Sequence, residues 1–161
     1  MARQLPIEIF MPPNILKAKV GSAIGGIDMA ALKRAEAAME NLKTEFHDWL
    51  ADDVAKLGET RDRFEAAPTI AAREDLFRAA HDLKGQAETF GYPMIARIAS
   101  SLTKMLDGLP ASNDVPAGLV DAHVAAIRVV FRDKIKLPND QIAMALTQEL
   151  EARVAEALNG Q

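Results

Sequence analysis

The sequence of 161 residues contains no cysteine and few aromatic residues. The absence of cysteine excludes disulfide bonds and metal sites built from thiolates. Aromatic residues make up only 5% of the chain, whereas alanine is abundant, and this composition favours helices packed on helices. No apolar run approaches the roughly 20 residues that a transmembrane helix needs. Hydrophobic residues nevertheless reach 49%, which is enough for the core of one domain.

The chain also has no excess of positive charge, with 19 Lys and Arg residues against 23 Asp and Glu residues. The formal net charge is −4 at pH 7, and such a balance argues against nucleic acid as the main partner. The N-terminal residues, Met1 to Pro6, lack the apolar core of a signal peptide before the first proline. We therefore expect a cytoplasmic protein with neither a membrane nor a nucleic-acid partner.

Prolines and glycines divide the chain. Residues 1–27 hold three prolines and three glycines, so they cannot form one long helix. We expect an extended, irregular N-terminal arm there, since the strand-like alternation at residues 7–10 has no obvious partner strand. Apolar periodicity then predicts four helices within residues 28–136 and a fifth helix over residues 139–159.

The helix boundaries have specific signals. Asp28 is a credible N-cap for the first helix and Thr69 for the second, whereas Gly91 marks the end of the second. Pro93 suits the first turn of the third helix, and Asn139 or Asp140 caps the fifth. The first helix is expected to run to about Pro68, with a weak point or kink at Gly58. Its predicted core face is Leu32, Ala35, Met39, Leu42, Phe46, Trp49, Leu50, Val54 and Leu57.

The second helix carries the most informative stretch. Its apolar residues follow a four-three alternation that is typical of a helix packed against other helices: Leu76, Ala80, Leu83, Ala87 and Phe90. At about 100° per residue, His81 points roughly 140° away from the centre of this seam. The pattern therefore predicts an imidazole exposed to water.

Two residues near His81 on the helix indicate which reaction this histidine could support. Gly85 lies one turn further on, where glycine costs roughly 1 kcal/mol relative to alanine, and its missing side chain opens space beside the ring. Lys84, three residues after His81, would neutralise an anion carried on the imidazole. Since an exposed neutral histidine is a competent nucleophile, these three residues predict a phosphohistidine site.

The segment His81-Asp82-Leu83-Lys84-Gly85, followed by Phe90-Gly91, resembles the H-x-x-K-G signature of histidine-containing phosphotransfer (HPt) domains. The resemblance covers residues 28–136 and implies an all-α, antiparallel four-helix bundle, to which the C-terminal helix and the N-terminal arm would be additions. It also implies that His81 carries phosphate between the aspartates of receiver domains. The partner would contact Phe77, Arg78 and Glu88, which share the exposed column of His81. We expect a monomeric carrier without cofactor, metal or ATP-dependent kinase activity.

Other classes of protein fit the sequence less well. A carboxylate-bridged metal site using His47, His81 and His123 needs a glutamate three residues before each histidine, and none is present. His47 is expected at the surface, and His123 within an apolar face, where it would be buried and hydrogen-bonded. A histidine-kinase dimerisation domain usually continues its histidine motif into a polar residue and proline, whereas the motif of this chain continues into Lys84-Gly85. A non-phosphorylated helical adaptor that binds a signalling partner remains the alternative.

Overall fold

A computed structural model describes residues 29–110 and 115–160, apart from the side chain of Lys43. These residues form five α-helices and no strand. The helices are α1 (Met29–Ala66), α2 (Ile70–Thr89), α3 (Pro93–Gly108), α4 (Ala117–Arg132) and α5 (Gln141–Asn159). The expected N-terminal arm and the Asp28 cap lie outside the described residues. Among those that are described, no helix is long and apolar enough to cross a membrane.

The helix ends confirm several signals read from the sequence. The Thr69 hydroxyl accepts a hydrogen bond from the Ala72 N–H at 3.1 Å and so caps α2. The Asp140 carboxylate accepts one from the Ala143 N–H at 2.9 Å and caps α5. Pro93 occupies the first turn of α3, as expected. Each cap satisfies a backbone donor that a helix start leaves unpaired.

The turn between α2 and α3 depends on a glycine. Gly91 has a φ of +78°, in the left-handed region where other residues are strained. Its N–H donates to the Glu88 carbonyl, and the Tyr92 N–H donates to the Ala87 carbonyl at 2.8 Å. This pair of bonds is a Schellman motif. It ends α2 and turns the chain within three residues into α3.

Packing centres on α3, which lies against α2, α4 and α5, while α4 also packs on α5. The Arg73 guanidinium of α2 donates to the backbone carbonyls of Leu106, Leu109 and Pro110 at the end of α3. It thereby satisfies carbonyls that the helix terminus leaves open. One side chain of α2 thus fixes the C-terminal end of α3.

In α1, part of the face that the sequence predicted to be core is exposed. The chain divides into two units, Met1–Glu40 and Asn41–Gln161, and the described part of the first is the helical segment 29–40, all of it exposed. In α1 the buried apolar residues begin only at Leu50 and continue with Val54, Leu57 and Phe64. The predicted core residues Leu32, Met39, Leu42 and Trp49 are instead 38%, 60%, 45% and 50% exposed. Of the apolar stripe expected on α1, the part from Leu50 onward is buried, and Leu42 and Trp49 are exposed.

Gly58 does not interrupt α1, which is helical from Met29 to Ala66. A β-carbon built at Gly58 would contact the end of the Arg128 side chain of α4. Because the end of an arginine side chain is flexible, a small shift of Arg128 would relieve this contact, and packing does not require the glycine. The helix is continuous through the weak point that the sequence suggested at Gly58.

The helix α5 packs along the other helices. Its buried residues are Ala143, Thr147, Leu150 and Val154. The Arg97 guanidinium of α3 donates two hydrogen bonds to the Glu151 carboxylate, at 2.7 and 2.6 Å. This charge-assisted pair, together with the buried apolar face, holds α5 on α3. The sequence alone leaves open whether α5 packs along the bundle or offers a partner-binding face.

Candidate functional site

His81 lies in the middle of α2 on its exposed side. The opposite side of the helix is buried through Leu76, Ala80, Leu83 and Ala87. The apolar seam read from the sequence is therefore confirmed, and it orients the helix so that the imidazole faces water. The phosphate-acceptor role of His81 stays a prediction at this point.

Gly85 leaves open space beside His81. A β-carbon built at this glycine would meet no atom within 4 Å. His81 and Gly85 line one shallow pocket of about 420 Å³ together with residues from the next turn of α2 and its end: Asp82, Gln86, Thr89 and Phe90. The glycine is therefore not required by packing in the folded chain. The space at Gly85 is open, and the role of this space as clearance for a group arriving at the imidazole stays a prediction.

Phe77 lies one turn before His81, and the two rings are nearly parallel. Their centroids are 6.0 Å apart, with an interplanar angle of 22°. Phe77 is half-buried and also packs against the core. An aromatic ring anchored in this way restricts the directions that the imidazole can take.

Lys84 does not line the His81 pocket. It lines a second pocket of about 250 Å³ on the α3 side of α2, together with Glu88, Arg97 and Ser100. The predicted site is thus distributed over two neighbouring pockets, with His81 and Gly85 in one and Lys84 and Glu88 in the other. A lysine side chain is long and flexible, so its ammonium can still move toward the imidazole of His81.

Arg78 and Phe77 line a third depression of about 570 Å³, between the first half of α2 and the end of α3. The Arg78 guanidinium lies 3.1 Å from Glu74 and 3.9 Å from Asp75. These are exposed pairs, which contribute little to stability. Arg78 therefore belongs to the surface around His81 and not to the pocket beside its ring.

A carboxylate near His81 was missed in the sequence. Asp53 of α1 is half-buried, and its Oδ2 is buried with no hydrogen-bond partner among the described residues. Burial raises the pKa of Asp53, Lys56 opposes this effect, and Asp82 adds to it. Asp82 lines the His81 pocket and Asp53 does not. In the sequence this residue is one of several charged positions in a long helix, and nothing there distinguished it.

An aromatic cluster on the α1 side of the site was also missed. The rings of Phe46 and Phe90 stack with centroids 4.7 Å apart. Trp49 lies 5.6 Å from Phe46 and 6.3 Å from Phe90 between ring centroids. Apolar spacing had placed Phe46 and Trp49 in the core, so the sequence gave no reason to consider them part of a surface.

The other two histidines occupy different environments. His123 is fully buried; its Nδ1 lies 2.7 Å from the Leu119 carbonyl and its Nε2 lies 3.0 Å from the Ser101 hydroxyl. Burial lowers the pKa of His123, and the prediction of a buried, hydrogen-bonded histidine is confirmed. His47 is half-buried and stacks on Phe131 with centroids 4.7 Å apart, so the surface position expected for it is only partly right. No cluster of three metal-ligating side chains occurs among the described residues.

Comparison with known proteins gives one match. A family model described as Hpt domain matches residues 32–159. This range begins within α1 and includes α2, α3, α4 and α5 in full. No curated protein and no solved structure is significantly similar to the chain.

Proposed function

Because the chain belongs to the Hpt domain family, we propose that it carries a phosphoryl group on His81 between the aspartates of receiver domains in a phosphorelay. Hpt domains are phosphotransfer carriers and not kinases. For this chain we propose the same role, without ATP-dependent kinase activity of its own. The cytoplasmic location and the monomeric state remain predictions.

One observation supports His81 as the acceptor above all others. Among the histidines in the described helices, His81 is exposed and has open space beside its ring, at Gly85. His123 is fully buried and His47 is half-buried against Phe131. A donor aspartyl phosphate must bring its phosphorus close to a ring nitrogen in line with the bond that breaks. The surface at Gly85 permits that approach.

In the transfer step one bond forms and one bond breaks. A ring nitrogen of neutral His81 attacks the phosphorus of the aspartyl phosphate, and a phosphorus–nitrogen bond forms. The phosphorus–oxygen bond breaks, and its electron pair leaves with the aspartate as a carboxylate. The reverse reaction passes the group to a second receiver. Lys84 would stabilise the negative charge of the phosphoryl group during both steps.

We further propose that α1 to α4 form the antiparallel four-helix bundle of the carrier, with α5 as an addition. The contacts support this arrangement, since α2 packs on α3 and α3 packs on α4. The bundle closes where Arg61 of α1 donates to the Asp121 carboxylate of α4 at 2.6 Å. On the other side, Lys56 of α1 lies 4.0 Å from Asp82 of α2.

The test is a substitution at the proposed acceptor with a matched control. His81→Gln keeps a polar side chain at an exposed helical position, and His47→Gln makes the same change elsewhere. Each protein is incubated with a panel of phosphorylated receiver domains, and separately with phosphoramidate, a small phosphoryl donor that needs no docking surface. We expect acid-labile phosphate on the wild type and on His47→Gln, and none on His81→Gln.

Two results would contradict the proposal. Undiminished labelling of His81→Gln would place the phosphate on another residue. A wild-type protein that binds receivers but takes no phosphate from either source would support the adaptor function instead.

A further inference from the structure

The open pocket beside His81 lies on the side of α2 away from Lys84. At about 100° per residue, Gly85 and Asp82 are displaced from His81 in one direction around the helix and Lys84 in the other. The residues that line this pocket are His81, Asp82, Gly85, Gln86, Thr89 and Phe90. Besides His81, Asp82 is the only ionisable side chain among these described lining residues, and it is an acid. A phosphoryl group in the space at Gly85 would therefore come close to a carboxylate, and Lys84 would have to reach it from the other side.

A cation of α1 lies near this carboxylate. The Lys56 ammonium is 4.0 Å from Asp82 Oδ2, and the two side chains are 58% and 54% exposed. The pKa of Asp53 reflects the same grouping, because burial raises it most, Lys56 lowers it and Asp82 raises it further. Arg78, four residues before Asp82 on α2, is instead paired with two other acids of that helix. Within the described part of the chain, Lys56 is thus the cation that compensates Asp82.

We expect the Lys56–Asp82 pair to affect the reaction more than the fold. Exposed ion pairs contribute little to stability, and both side chains of this pair are more than half exposed. A phosphoryl group, by contrast, brings about two negative charges, and an uncompensated carboxylate beside it would repel them. This repulsion would raise the energy of the transition state and of phosphohistidine, since both hold negative charge beside Asp82.

We propose that Lys56 of α1 is a positioning residue for phosphoryl transfer to His81. Its ammonium holds and neutralises the Asp82 carboxylate, so that the pocket beside Gly85 can accept an anionic phosphoryl group. This inference rests on the proposed phosphotransfer function. It gives α1 a part in the reaction, whereas the site residues predicted from the sequence all lie on α2.

The first test measures the rate of labelling by phosphoramidate, which needs no docking surface. Lys56→Gln removes the ammonium. Arg63→Gln is the matched control, because Arg63 of α1 also pairs with an acid of α2, Asp75 at 3.7 Å, and neither residue lines the His81 pocket. We expect labelling to slow about five-fold or more in Lys56→Gln, as one unit charge close to the phosphoryl group should cause. The rate in Arg63→Gln should stay within about two-fold, and both variants should melt within about 2 °C of the wild type.

A double substitution separates action through Asp82 from direct contact with the phosphoryl group. Asp82→Asn removes the charge that Lys56 compensates, so this variant should be labelled faster than the wild type. In Lys56→Gln/Asp82→Asn the rate should return at least to that of the wild type, because no carboxylate is left to neutralise. Lys56→Arg keeps the positive charge and should keep the rate. Added salt should narrow the difference between Lys56→Gln and the wild type, since salt screens exposed charges.

Three outcomes would overturn the role of Lys56 while leaving His81 as the acceptor. The first is labelling of Lys56→Gln at the wild-type rate. The second is a double variant as slow as Lys56→Gln, which would mean that Lys56 does not act through Asp82. The third is an equal loss in Arg63→Gln, which would make Lys56 one of several contacts that hold α1 on α2. Failure of the proposed function itself would appear as absent phosphoramidate labelling in the wild type.

Discussion

Substituting Gly85 should change stability and transfer in opposite directions. The β-carbon of Gly85→Ala would meet nothing within 4 Å, so the change carries no steric cost in the free protein. Alanine is favoured over glycine within a helix by up to about 1 kcal/mol. For a chain of this length, 1 kcal/mol corresponds to roughly 2–4 °C in melting temperature. We therefore expect Gly85→Ala to melt up to about 4 °C later than the wild type.

The same methyl group occupies space beside the imidazole that, under the proposed function, an incoming receiver needs. We expect Gly85→Ala to slow transfer a few-fold. Gly85→Arg should slow it about ten-fold or more, which corresponds to about 1.4 kcal/mol in the barrier. Arginine is a good helix former and faces water here, so Gly85→Arg should keep its fold and remain at least as stable as the wild type.

A matched glycine is available as the control. Gly118, in the first turn of α4, also has no atom within 4 Å of a built β-carbon. Gly118→Ala should raise the melting temperature slightly and leave transfer unchanged. Thermal melts by circular dichroism and phosphotransfer time courses measure both quantities. If the Gly85 variants melt early and transfer declines only with unfolding, Gly85 is a packing residue and the clearance argument is wrong.

Three further predictions concern Lys84, Asp53 and His123. Lys84→Ala should slow transfer without changing the circular dichroism spectrum, because the ammonium acts on the transition state more than on the fold; equal rates would make Lys84 a bystander. Asp53→Asn should stabilise the protein at neutral pH. The folded pKa of Asp53 is raised above the ordinary 3.8, so the ionised aspartate costs stability that is lost between pH 3.8 and the folded pKa and is constant at higher pH. The advantage of Asp53→Asn over the wild type should therefore grow from pH 3.8 to the folded pKa and then level off, and an advantage that is the same at pH 3.8 and at about pH 7 would contradict this. His123 has a folded pKa below the ordinary 6.5, so its contribution to stability is present above 6.5 and lost as pH falls toward the folded pKa. Denaturant unfolding from pH 7.5 to 5 should show a steeper loss for the wild type than for His123→Gln, and parallel curves would refute the assignment.

Local signals in the sequence predicted the helix boundaries well. Thr69, Asp140 and Gly91 act through atoms a few residues away, so their roles depend on little beyond the local backbone. The orientation of His81 could also be predicted, because the seam opposite it is regular and α2 is packed along that seam. These features follow from helix geometry alone.

The features that the sequence did not predict depend on contacts between distant segments. The exposure of Trp49 depends on which residues of other segments lie against it, and helical periodicity carries no information about those residues. Gly58 suggested a weak point or kink, whereas α1 is helical on both sides of it. The separation of Lys84 from the His81 pocket depends on the neighbouring α3, which supplies Arg97 and Ser100 to the other pocket.

The Arg73 contacts have a consequence for the dynamics of the acceptor helix. A single guanidinium of α2 holds three carbonyls at the end of α3, and the Schellman turn joins the opposite ends of the same two helices. The end of α3 cannot open without breaking its bonds to Arg73 of α2, and the end of α2 cannot fray without opening the turn that leads into α3, so α2 and α3 should open as one cooperative unit. His81 would then lie on a helix that does not open by itself. Under the proposed function, the transfer rate would be set by the encounter with the receiver and by the phosphoryl-transfer step, without a preceding local unfolding step.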